Sequence, residues 1–177
     1  MDHEPNWITL GEEDRRLVGL WTAECAERVL PLFEAKAPAD NRPREAIAGI
    51  RAFARGEKRK GQLRSLVSAA YAAAREVGDP VAAAAARAAG LAAASPYMHA
   101  KVTGEQAKHA LGPAMYAARA RELAANGDPS AGEEEIRRVV ESTSPAIREI
   151  LRRMPVCSAG RRRLDALYDH LDAALRC

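Results

Sequence analysis

The sequence predicts an all-α protein, a single compact domain of seven to eight antiparallel helices. Three observations carry this prediction. Alanine, the best helix former and a poor strand former, supplies 39 of the 177 residues. Apolar residues recur at three- and four-residue steps in one segment after another, and no segment shows the alternation of a strand. Helix-start signals precede most of these segments: a Ser, Thr, Asn or Asp ahead of Pro, or ahead of an acid or amide three residues on.

Val18, Trp21, Cys25, Val29 and Leu32 define a first helix over 12–36, with Thr9 and Glu12 as its capping box. Residues 1–11 then form an N-terminal extension to a domain over 12–177. Pro31 cannot donate to the carbonyl of Glu27, so a kink or an early end is expected there. Asn41 caps a second helix that has Pro43 in its first turn, buries Ile47, Ile50 and Phe53, and ends near Gly56. A third helix lies between Gly61 and Gly78. Asp79-Pro80 opens a fourth, nearly all alanine, which Ser95-Pro96 stops. After an irregular stretch from Pro96 to Val102, Thr103 and Gln106 start a helix to about Ala125 that should bend at Gly112-Pro113. Asn126-Gly127-Asp128-Pro129 is a turn, and Ser130 with Glu133 begins a helix carrying Ile136, Val139 and Val140. Ser144-Pro145 starts another with Ile147, Ile150 and Leu151, and the last covers 160–176 with Leu164, Leu167, Leu171 and Leu175. Short connections make neighbouring helices antiparallel, and pairs of them can stack as a short solenoid.

Composition narrows the function classes. With 27 Lys+Arg against 24 Asp+Glu, the chain carries +3, too little for a binder that relies on charge alone, so nucleic acid is disfavoured as a partner. No apolar run reaches the roughly 18 residues that span a bilayer, and no basic region followed by an apolar core opens the chain, so a cytoplasmic location without membrane contact is expected. Cys25, Cys157 and Cys177 lack close spacing, which fits reduced thiols. No cofactor is implied: Walker, dinucleotide-binding, nucleophile-elbow and His-Glu-x-x-His patterns are all missing.

Several strings carry a resemblance. They are Trp21-Thr-Ala-Glu-Cys25-Ala-Glu-Arg-Val-Leu-Pro31-Leu-Phe, Asn41-Arg-Pro-Arg-Glu-Ala-Ile47, Tyr97-Met-His99 and Gln106-Ala-Lys108-His109-Ala-Leu-Gly112-Pro-Ala-Met-Tyr116. Together they resemble the all-helical bacterial immunity proteins called Imm-5-like, over about residues 21 to 175, with closing strings at Ile150–Pro155 and Leu171–Leu175. The resemblance implies a binding protein that neutralises a cognate toxin by covering its active surface.

The residues themselves suggest an alternative. His99 and His109 can act as acid and base near neutral pH, while Gln106 and Lys108 supply an amide and a cation for an anion, and Tyr97 and Tyr116 supply hydroxyls and ring surface. Trp21, Glu24 and Cys25 lie on adjoining positions of the first helix and form another wall. These nine residues are expected to line one cavity for a small metabolite, with Glu24 and Arg28 as an exposed pair if the wall is merely structural. A metal site is not expected, because His99 and His109 are ten apart and no third ligand accompanies them. The basic segments Arg51–Arg64 and Arg161–Arg163 suit solvated helix ends, where cations meet the helix dipole, or phosphate contacts.

Overall fold

A computed structural model describes residues 8–98, 101–102, 104–156 and 160–177. Nine α-helices occur among them: α1 (Glu12–Glu27), α2 (Leu30–Glu34), α3 (Arg42–Ala54), α4 (Arg64–Glu76), α5 (Pro80–Ala94), α6 (Gly104–Ala124), α7 (Pro129–Ser142), α8 (Pro145–Arg153) and α9 (Arg163–Arg176). The all-α prediction holds. The count exceeds the expected seven to eight because the first predicted helix is two. α1 ends at Glu27, and α2 restarts with Pro31 in its first turn, where no N–H is required.

Helix starts follow the predicted chemistry at α5 and α8. The Asp79 carboxylate accepts from the Ala82 N–H at 2.8 Å, and the Ser144 hydroxyl accepts from the Ile147 N–H at 3.3 Å. Three predicted caps differ. Gly11 precedes α1 with no side-chain cap, because Thr9 lies in a two-residue strand, β1 (Ile8–Thr9), that pairs antiparallel with β2 (Lys101–Val102). Asn41 makes no capping bond, and Asp40 accepts from the Arg42 N–H instead. Asp128, not Ser130, caps α7, accepting from the Ser130 N–H at 2.9 Å. The strand pairing also ties residues 8–10, assigned to an extension by the sequence, onto the helical body, and Leu10 is buried.

α5 is the central helix. It packs on α4 and α6 and also meets α1, α2 and α3, so nearly every alanine along it is buried. Alanine suits this position because a helix buried on several sides needs small residues if its neighbours are to approach closely. Gly112 of α6 makes the same point: a Cβ there would stand 2.9 Å from Leu91 Cδ1. α6 continues through Pro113 as one element. Helices α3 to α7 each pack on the next, and α1 closes across α3, α5 and α6.

Two apolar cores result. One gathers Phe33, Ile47, Ile50, Phe53, Leu63 and the alanines of α4 and α5. The other gathers Val18, Trp21, Leu111, Ile136, Ile150, Leu167, Leu171 and their neighbours. α1 and α6 contribute to both and form the wall between them. Among the described residues no helix is long and apolar enough to cross a membrane.

Candidate functional site

The expected single cavity is divided among three depressions. Tyr97, Gln106 and His109 do come together, with Ala94 and Met98, around about 230 Å³ where α6 begins. His109 is exposed, and Gln106 Oε1 is buried without a hydrogen-bond partner among the described residues. The Tyr97 hydroxyl is committed elsewhere. It donates to the Lys60 carbonyl at 2.5 Å, and the Tyr97 ring carries Lys60 Nζ at 5.6 Å and Arg64 Cζ at 5.9 Å from its centre. His99 lies outside the described residues, as do Thr103 and Cys157.

Lys108 and Tyr116 line a different depression of about 330 Å³, against Arg162, Leu164, Asp165 and Tyr168. Lys108 Nζ stands 5.7 Å from the centre of the Tyr168 ring. Consecutive residues on a helix diverge by about 100°, and here that step turns Lys108 toward α9 and His109 toward the end of α5. Tyr116 shares a helical face with His109, yet different neighbours cover the two turns: the end of α5 at His109, and α9 at Tyr116.

Trp21 and Glu24 belong to a third depression, a groove of about 290 Å³ between α1 and the turn joining α7 to α8, completed by Leu17, Leu20, Ser144 and Ile147. Trp21 is buried, and its Nε1 donates to Thr143 Oγ1 at 3.1 Å, which holds the indole as the floor of the groove. Leu17 and Leu20 are 37% and 39% exposed along its rim. Cys25 faces inward into the second core. Burial pushes its thiol well above the usual range, against the opposing pull of the Arg28 charge, so Cys25 is a protonated core residue and a poor nucleophile.

Arg28 does not pair with Glu24. It reaches the buried Glu135 of α7, whose other oxygen is 3.5 Å from Arg121 Nε, and Arg121 also donates to the Arg28 carbonyl at 2.8 Å. A second buried carboxylate, Glu122, is held by Arg119 at 3.0 Å and by Arg163. These two acids tie α1, α6, α7 and α9 together, and the sequence reading missed them. Nothing in the run Glu133-Glu134-Glu135 distinguishes its last member; the one available hint is Gly132, whose missing side chain leaves room for Glu122. All three residues of the basic run Arg161–Arg163 are exposed, but Arg163 is a structural partner of Glu122 and Arg162 Nε stands 3.7 Å from Asp165. Among the described residues no group of three or more His, Cys, Asp or Glu is placed to hold a metal ion.

No curated protein and no solved structure matches the chain. A family match spans residues 8–146, starting earlier than the expected residue 21 and leaving the closing strings in α8 and α9 outside it. Over that span, which is most of its length, the chain belongs to the family described as Imm-5 like putative immunity protein.

Proposed function

We propose that the protein is an immunity-type binder that neutralises a cognate toxin by direct contact, and that the groove on α1 is the centre of the contact. The observation that carries this reading is the pairing of Leu17 and Leu20, two large apolar side chains left exposed beside a rigid, buried Trp21. Apolar anchors around a fixed aromatic floor, rimmed by Glu24, Ser142 and Ser144, are what a protein-binding centre requires. Family membership supports a toxin as the partner. With only Glu24 charged on the rim, the contact depends little on net charge, so the mildly basic chain is compatible with a basic toxin. The test is co-expression with a candidate toxin taken from the neighbouring genes. Leu17→Asp with Leu20→Asp should abolish protection and weaken binding by at least about tenfold, with the melting temperature little changed. Undiminished protection by the double variant would refute the groove.

A second reading, a cofactor-independent acid–base or small-molecule site at His109, draws support from the buried Gln106 Oε1 beside it, an acceptor with no partner among the described residues. Its test is His109→Ala. Loss of a measured activity with an unchanged melting temperature supports it, and full protection against the toxin by the variant counts against it.

A further inference from the structure

The start of α1 and the loop after α3 face each other across a cleft of about 600 Å³, backed by Leu10 and Phe53. Arg15, Arg16, Lys58, Arg59 and Lys60 line it against one carboxylate, Glu12, so five positive charges less one negative leave four in excess. We propose that this cleft binds a small anion built of two or three linked phosphate groups.

Three features distinguish it from a solvated helix end. First, two cations of the same basic segment that lie outside the cleft have carboxylate partners, Arg51 on Glu27 and Arg55 on Glu57 at 2.7 Å, and a third, Arg64, stands over the Tyr97 ring. Lys58 and Arg59, inside the cleft, have no carboxylate partner among the described residues. Second, part of the charge is set in place. Arg15 donates from Nη1 to the Pro96 carbonyl at 3.1 Å and from Nε to the Leu10 carbonyl at 3.4 Å, so its guanidinium is positioned before any ligand arrives. Third, Arg16 is incompletely used. Its Nη2 donates to Glu12 at 2.6 Å, while its Nε is buried with no hydrogen-bond partner among the described residues. Gly56, at φ +77°, makes the turn that brings the loop against this guanidinium, 3.4 Å from where a Cβ would stand.

Size and charge select the ligand class. The volume lies in the range of small-molecule sites, and a single tetrahedral anion would meet only some of the five cations. Linked phosphates carry several negative charges and many acceptor oxygens in a short span, which suits guanidinium and ammonium donors arrayed around one cavity. A free polyphosphate and the phosphate tail of a nucleotide offer this same chemistry.

The test is isothermal titration of the full chain, in low salt, with tripolyphosphate, with ATP and with sulfate. Saturable binding of tripolyphosphate at one site per chain is expected, with affinity falling steeply as salt rises. Lys58→Ala with Arg59→Ala should weaken it at least about tenfold at an unchanged melting temperature, and Arg75→Ala, a cation on α4 outside the cleft, should leave it unchanged. Lys58→Gln alone serves if the double variant fails to fold. Equal affinity for ATP and tripolyphosphate assigns the site to the phosphate chain, and tighter ATP binding assigns it to a nucleotide. The proposal is overturned if tripolyphosphate does not saturate the protein, if the double variant binds it as well as the parent does, or if only long nucleic acid binds.

Discussion

A carboxylate that folding removes from water needs its counter-charges inside, and Glu135 finds them in Arg28 and Arg121. Glu135→Gln keeps the shape but leaves two guanidinium groups facing a neutral amide. It should cost about 3 kcal/mol in urea denaturation. Glu134→Gln, one residue away and paired with Arg137 and Arg138 at the surface, should cost under about 1 kcal/mol. Cys25 makes a different prediction. Its raised thiol keeps its proton in the folded chain, while the unfolded chain loses that proton above the ordinary thiol pKa of about 8.5. The unfolded state then binds fewer protons, so stability falls as pH rises past that point. Cys25→Ala should make the decline between about pH 8 and pH 10 shallower, as measured by denaturant midpoints. A thiol reagent should label the exposed Cys177 quickly and Cys25 only as fast as the chain opens.

At the scale of elements, caps separate what local sequence decides from what its surroundings decide. Asp79 and Ser144 act as their sequence suggests, and Asp79→Ala should cost about 1 kcal/mol. Asn41 looks equally suited but makes no capping bond, because Asp40 takes the Arg42 N–H and also holds the Arg42 guanidinium at 2.7 Å. Asp40→Ala should therefore lower the melting temperature more than Asn41→Ala does. Arg42 holds the Asp40 carboxyl below the usual range, so the stability that Asp40 contributes is present above the ordinary carboxyl pKa and is lost as pH falls through the depressed value. The comparison of the two variants should narrow in acid. Thr9 failed as a cap for a reason invisible in its neighbours: its backbone is taken up in pairing with Lys101, far along the chain.

At the scale of the molecule, the second core decides how much of the chain is needed. Ile147, Ile150, Leu151, Leu167, Leu171 and Leu175 close it from α8 and α9, yet the family match ends at residue 146. A chain ending at 146 would expose Trp21, Leu111, Ile136 and Val139 to water. It should lose the cooperative thermal transition of the full chain by circular dichroism. A sharp transition in the shortened chain would mean that the first core, around α5, suffices alone.

Helical class, most helix limits, the break just before Pro31 and those at Asn126 and Ser144 were legible because they depend on backbone geometry and on partners within a few residues. The grouping of Tyr97, Gln106 and His109 was legible too, since they flank one short connection. Tertiary structure alone decided that Lys108 and Tyr116 turn to α9, that Cys25 faces the core, that Arg28 seeks Glu135, and that Lys58 and Arg59 meet Arg15 and Arg16. A helical period says which residues share a face, but it does not say which neighbour covers each turn of it. In this chain the neighbours are brought together by small residues on α5 and α6, whose close approach is a property of several helices at once.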